Sequence, residues 1–166
     1  NFQLRGAESE ADQYRVQNWC KQNSVPFFSV RFVLPKKEGS IQSKARQLRY
    51  DWFNALLEIH HFDLLLTAHH LNDQLETFLM HLGRGTGLSG LLGIPSSATL
   101  FRPLLSFSKK AIEAYAKHNN IDWREDSSNL SLAYWRNALR HEVIAPLLNT
   151  HPQYLHHFKN TLAHLN

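Results

Sequence analysis

Leu64-Leu65-Leu66-Thr67-Ala68-His69-His70-Leu71-Asn72-Asp73-Gln74-Leu75-Glu76 sets an apolar run directly ahead of a turn rich in histidine and carboxylate. The run reads as a buried strand over 63–68, and the next segment reads as a helix from about Asn72 to Leu82. Polar chemistry thus falls at the carboxyl end of a strand, where open α/β sheets bind their ligands. Asn72 is placed to cap the helix, and Asp73 and Glu76 then share one face. Two carboxylates facing a crevice suit a magnesium ion, which takes one or two of them together with substrate phosphates. The same residues carry a purely structural reading, in which Asn72 and Asp73 start a helix, the acid complements its dipole and Glu76 is solvated. His69 and His70 are adjacent, unlike the i, i+4 pair of a zinc helix, so zinc is disfavoured.

Upstream, Ser9 to Lys21 has helical spacing, with Ser9 as N-cap, Asp12 in the capping-box position and Val16, Trp19 and Cys20 on an apolar side. Pro26 opens a strand over 27–33, Phe-Phe-Ser-Val-Arg-Phe-Val, with β-branched and aromatic content. A polar loop over 35–40 comes next. Ile41, Ala45, Leu48, Trp52, Ala55, Leu56 and Ile59 then recur at helical spacing, and Arg46 and Arg49 lie off that stripe. The order α-β-α-β-α predicts a parallel sheet.

Downstream, five of the seven glycines fall at Gly83, Gly85, Gly87, Gly90 and Gly93, which marks a tightly turning loop. Its amides could cradle phosphate with help from Arg84, but it lacks the G-x-x-x-x-G-K-[ST] pattern and follows a helix, so taken alone a helix stop and surface turn is the favoured reading. A short extended piece at 100–105 leads to a helix capped by Ser108, then to a polar loop over 123–129. A basic helix near Ala133 to Leu148 carries Arg136 and Arg140 and is bent or interrupted at Pro146. The last helix spans 152–165.

The 166 residues, with 18 Lys plus Arg against 14 Asp plus Glu, give a net charge of +4, a modest bias compatible with an anionic partner such as RNA or ATP. A lone cysteine, Cys20, rules out an internal disulfide or a multi-cysteine metal site within these residues, and a reducing, cytoplasmic setting is the default expectation. No run approaches a membrane span, so no membrane partner is expected. The chain starts at Asn1 in what reads as the tail of a strand, so a segment upstream is expected.

These segments in their order resemble the tRNA(Ile)-lysidine synthetase family of the PP-loop ATP pyrophosphatase group. Leu4-Arg5-Gly6 with Glu8-Ser9 is similar to the segment after that family's second strand, and Lys44 to Tyr50 to its A-R-x-x-R-Y helix. Ala68 to Thr77 resembles A-H-H-x-D-D-Q-x-E-T, and Arg84 to Ile94 resembles R-G-[ST]-G-L…G-I. Arg102-Pro103-Leu104-Leu105, Glu125 to Asn129 and Arg136 to His141 complete the likeness, which covers about residues 1–150. It implies an α/β, Rossmann-like parallel sheet with flanking helices, of the adenine nucleotide alpha hydrolase-like kind. The partial α/β domain would span 1–105 and a helical extension of the catalytic region 106–166.

The resemblance further implies an ATP-dependent carbon–nitrogen ligase that adenylates the C2 oxygen of the wobble cytidine of an isoleucine tRNA and then joins L-lysine to C2. ATP and Mg2+ are the implied cofactors. Asp73, Arg46 and Arg136 are the implied catalytic residues. His69, Arg84, Gly85 and Gly87 are candidates for holding nucleotide, and Arg49, Asn137 and Arg140 for holding substrate. Asp73 and Glu76 are the magnesium candidates, and a homodimer is compatible with the reading.

Two departures stand out. Asn72 occupies the place of the family's first aspartate, and the S-G-G-x-D-S phosphate loop occurs nowhere in residues 1–166. The chain is therefore expected to be a catalytic-domain fragment without its first strand and phosphate loop, unable to adenylate by itself. An exposed sheet edge in such a fragment would favour self-association. Alternatives are another PP-loop RNA-modifying enzyme, a non-catalytic tRNA-binding module supported by the charge and by Arg136 with Arg140, and a metal-dependent hydrolase using His69, His70 and Asp73.

Overall fold

The computed structural model describes residues 1–33, 41–95, 97–127, 131 and 134–165. The expected loop at 35–40, Ser128 and Asn129 of the 123–129 loop, and Ala133 lie outside them. The chain forms two compact units, Asn1–Asp63 and Leu64–Asn166.

In the first unit, α1 (Ala7–Gln22) begins earlier than its Ser9 cap predicts. Gly6, in a left-handed conformation at φ 52°, occupies the N-cap and supplies no side chain. Ser9 Oγ accepts instead from the Arg5 amide at 3.2 Å, and Asp12 takes the Arg5 guanidinium at 2.8 Å. Cys20 is buried, but Val16 and Trp19 remain 53 % and 57 % exposed, so the expected apolar side is only partly covered. The strand over 27–33 forms no ladder among the described residues. That segment is tied locally, with the Phe32 amide donating to the Asn1 carbonyl at 3.0 Å and the Phe2 and Phe32 rings 5.1 Å apart. β propensity reports fit to a pleated, partnered surface, and no adjacent strand is described here to supply one. The periodic segment forms α2 (Ile41–His60) as expected, with Ala45 buried and Arg46 and Arg49 exposed.

The second unit is mixed α/β. β1 (Leu65–Leu66) pairs in parallel with β2 (Leu100–Phe101), Leu65 opposite Leu100 and Leu66 opposite Phe101. The Thr67 amide extends the ladder to the Phe101 carbonyl at 3.1 Å. The parallel pairing is as expected, and the described partner of β1 lies in the short extended piece at 100–105. The strand is also less buried than an apolar run predicts, since Leu64 and Leu66 are more than half exposed while Leu65 is half-buried.

Between the strands lie α3 (Leu71–Leu82) and the short α4 (Leu88–Leu91). α5 (Lys109–His118) comes after β2, with Ser108 Oγ accepting from the Ala111 amide at 3.1 Å, as its cap position predicts. The basic segment runs through α6 (Trp135–Ala138), a π-helical stretch (Leu139–Ile144) and α7 (Ala145–Thr150). The wide turn closes with the Ala145 amide on the Arg140 carbonyl, one residue further back than an α-helical bond. Pro146 is next in the chain; it brings no N–H and its ring crowds the carbonyl four residues back, which a wider turn relieves. The interruption expected at Pro146 is therefore a change of helical pitch ahead of it.

α8 (Tyr154–Leu165) folds back on α3. Leu71 and Leu75 of α3 pack with Ile144, Phe158 and Leu162, and the Phe78 ring meets Phe158 edge-on at 5.3 Å. This core fixes the buried face of α3, and the face beside it carries the polar residues of the site. Among the described residues, no helix is long and apolar enough to cross a membrane.

Candidate active site

The site is built on the first turn of α3. His70, extended at φ −124°, is its N-cap. Its Nδ1 accepts from the Asp73 amide at 3.3 Å, and Asp73 Oδ2 accepts from the His70 amide at 3.0 Å. This reciprocal pair satisfies two amide donors at the helix start and locks the Asp73 carboxylate in place. Asn72, the expected cap, does something else: its Oδ1 accepts from the Lys109 amide, the first residue of α5, at 2.9 Å. A single oxygen acceptor suffices there, so the amide in place of an acid keeps a structural bond between two helix starts. The H-x-x-D spacing was the signal for the true cap, with its acid at N3.

One turn further on, Glu76 is 1 % exposed. Its Oε2 accepts from Arg136 Nε at 2.6 Å and from Arg140 Nη2 at 3.1 Å, and its Oε1 accepts from Arg140 Nε at 2.6 Å. Asp73 Oδ1 lies 3.5 Å from Arg136 Nη2 and 3.9 Å from Arg140 Nη2. Two carboxylates thus face two guanidinium groups from a segment far along the chain. The bonds to Glu76, against the opposing effect of burial, raise the Arg140 pKa above that of an ordinary arginine, so its charge is held firmly. Both arginines keep about a third of their side-chain surface open, 38 % for Arg136 and 31 % for Arg140. They could therefore also meet an anionic group from outside. Asn137, between them, donates to the Ser131 carbonyl at 2.9 Å.

Glu76, a magnesium candidate from the sequence, has both oxygens in guanidinium bonds, and a metal at Glu76 would have to displace them. Among the described residues Asp73 Oδ1 has the two long contacts, at 3.5 and 3.9 Å. Among the described residues no group of three or more His, Cys, Asp or Glu side chains could hold a metal. His69, at the carboxyl end of β1, is half-buried with Nδ1 3.0 Å from Thr67 Oγ1.

The glycine-rich loop is fastened to α3. Gln74 donates from Nε2 to the Leu92 carbonyl at 3.2 Å and accepts on Oε1 from the Ile94 amide at 2.7 Å. Gly93, at φ +82°, passes so close that a Cβ there would lie 2.6 Å from Gln74 Cδ, which accounts for the glycine. The His81 ring meets the Gly90 carbonyl at 2.7 Å. Gly85 and Gly87 differ, because a Cβ on either would meet nothing within 4 Å, so packing does not demand them. The Gly85 amide is donated to the Leu82 carbonyl. Arg84 lies over the Trp135 ring, its Cζ 5.1 Å from the ring centre. Arg102, at the carboxyl end of β2, is buried, with Nη1 on the Pro95 carbonyl and no partner for Nε among the described residues.

Asp73, Glu76, Arg136, Arg140, Asn137, His69, Arg84, Gly85 and Gly87 all belong to the second unit. Arg46 and Arg49 belong to the first, where they lie over the rings of Tyr50 and Phe2 at 4.6 and 5.7 Å. Reading the sequence missed the clamp of Glu76 by two arginines, the Gln74 fastening and the part of Trp135. Only the last had a signal, in its place next to Arg136.

A PP-loop domain family model matches residues 1–147. The tRNA(Ile)-lysidine synthase of Enterococcus faecalis is 37 % identical over 160 residues, covering 93 % of this chain and 34 % of that protein. That of Haemophilus ducreyi is 41 % identical over 157 residues, covering 90 % and 36 %. That of Chlorobaculum tepidum is 39 % identical over 149 residues, covering 87 % and 45 %. The chain thus spans between a third and a half of the length of these curated relatives.

Proposed function

Since the chain belongs to the PP-loop domain family, we propose that it carries part of the catalytic domain of a tRNA(Ile)-lysidine synthase. In this reading the domain is a Rossmann-like sheet. ATP adenylates the C2 oxygen of the wobble cytidine of an isoleucine tRNA with loss of pyrophosphate, and the lysine amine then attacks C2 and expels AMP. The observation that carries the proposal is the Asp73–Glu76–Arg136–Arg140 cluster at a strand's carboxyl end, in a chain 37–41 % identical to proteins bearing that name.

Each group has a role that its geometry permits. Asp73, held by His70 with Oδ1 turned to the arginines, accepts the proton that the lysine amine must lose to become a nucleophile. Glu76 holds Arg136 and Arg140 side by side against their mutual repulsion, and the solvent-facing part of the two side chains orients a carboxylate or phosphate of the substrates, with Asn137 beside them. The Gly85 and Gly87 backbone beside Arg84 offers a polar approach for nucleotide, and His69 is assigned to the same ligand on the resemblance alone. Arg46 and Arg49 are assigned to the same reaction on the resemblance alone. A magnesium ion fits Asp73 as one carboxylate ligand completed by substrate phosphates, where it would offset charge on the departing pyrophosphate. Glu76 joins it only if an arginine lets go.

The test is ATP-dependent transfer of labelled lysine to an isoleucine tRNA. It would compare the 166 residues alone with the same residues extended upstream of Asn1 by a segment carrying an S-G-G-x-D-S loop. Product is expected from the extended chain only, and Asp73→Asn should lower its turnover by about 10²-fold or more. An extended chain that binds the tRNA and makes no lysidine would favour a binding module, the reading to which the +4 charge and the exposed Arg84 and Trp135 also lend support.

A further inference from the structure

Arg84 and Trp135 come together from distant parts of the chain. Arg84 leads the open part of the glycine-rich loop, and Trp135 opens α6 immediately before Arg136. The guanidinium carbon sits 5.1 Å from the ring centre, and a methyl on Gly83 would lie 3.4 Å from Trp135 Cζ2, so the indole rests against the loop. Trp135 keeps 46 % of its surface open and Tyr134 beside it 44 %, so aromatic surface lies open beside a polar site. Gly85 and Gly87, next in the loop, have nothing near their α-carbons to bar an approaching ligand.

We propose that the stacked Arg84–Trp135 pair is a shelf for one unpaired nucleobase of the RNA substrate. The inference rests on the RNA-substrate reading above but not on lysine transfer. Single-stranded RNA is held mainly by stacking of bases on aromatic rings and on guanidinium planes, with cationic charge supplying the attraction to phosphate. An arginine lying over a tryptophan ring brings a guanidinium plane and aromatic surface to one place and is held there by the ring quadrupole. Its neighbour Arg136 reaches Glu76 and Asp73, so a base on the shelf lies at the rim of the catalytic cluster. The shelf would hold a nucleotide flanking the modified one. A free mononucleotide such as ATP presents the same chemistry, and the experiment separates the two.

The measurement is fluorescence anisotropy of a labelled heptanucleotide with the anticodon-loop sequence of an isoleucine tRNA, titrated with the 166-residue chain, with AMP titrated in parallel. Trp135→Ala and Arg84→Ala should each weaken RNA binding at least about fivefold, the lower end of what one stacked base contributes. Arg84→Lys should lose nearly as much, because an ammonium keeps the charge but cannot stack. Trp135→Phe, which fills the same place against Gly83, should retain most of the affinity and guards against a variant that fails to fold. In a series of oligonucleotides each lacking one base, one position should abolish the difference between Trp135→Ala and the unaltered chain. Unchanged RNA affinity in Trp135→Ala, full affinity in Arg84→Lys, or a loss confined to AMP would each overturn the proposal. Lysine transfer that fails in the upstream-extended chain while this pattern holds sinks the ligase reading and leaves the shelf standing.

Discussion

Glu76 is the residue on which most of the site's order depends. It is buried, and its two oxygens accept three guanidinium bonds at 2.6–3.1 Å. Removing its charge leaves the two arginines with only the longer contacts to Asp73, at 3.5 and 3.9 Å, among the described residues. Glu76→Gln should therefore cost about 2–3 kcal/mol in urea unfolding, below the full value for a buried pair because the arginines are partly solvated. A loss under about 0.5 kcal/mol would show that solvent already screens the cluster. Asn72 gives a contrasting case. Asn72→Ala, which strands the Lys109 amide, should lose about 1 kcal/mol, whereas Asn72→Asp keeps an acceptor and should be close to neutral. Equal losses would mean that the bond to α5 does not decide the residue. From the sequence, Asp73 and Glu76 were legible as a pair on one helix face. Their partners were not, since Arg136 and Arg140 are brought to them only by the packing of distant segments.

At the scale of elements, local signals worked where the chain closes its own bonds. Ser108 caps α5 as its position predicts, and the apolar stripe of α2 forms a helix over Ile41–His60. They failed where a partner from elsewhere was needed. The 27–33 segment has strand composition but no described ladder, and β1 found its parallel neighbour in Leu100–Phe101. The glycine-rich loop divides in the same way. Gly93 is required by its positive φ and by Gln74, so Gly93→Ala should destabilise by about 2 kcal/mol or more and raise hydrogen exchange across 90–95. Gly85 is also at positive φ but has free space around it, so Gly85→Ala carries only the backbone strain and should cost about 1 kcal/mol. Similar melting temperatures for the two variants would show that Gln74 does not fix the loop.

For the molecule as a whole, the fully buried apolar set is small, and in the second unit it is concentrated where α3 meets Ile144, Phe158 and Leu162. The same helix carries core on one face and Asp73 and Glu76 on another. Phe158→Ala should thus cost about 3–4 kcal/mol and also slow any reaction that uses Asp73, without touching a substrate. A variant that loses stability but keeps full turnover would separate core from site. The sequence by itself determined the helices with their own stripes and caps, the strand-to-helix turn at His69–Glu76, and the family. Each of these is written in short-range spacing, which a single stretch of chain can satisfy alone. Only the tertiary structure decided which strand pairs with β1, that Glu76 is closed by two arginines, that Gln74 fastens the loop, and that Arg84 lies on Trp135. Those contacts join residues from 18 to 64 positions apart, and their energies depend on burial and distance, which appear only when the chain has folded.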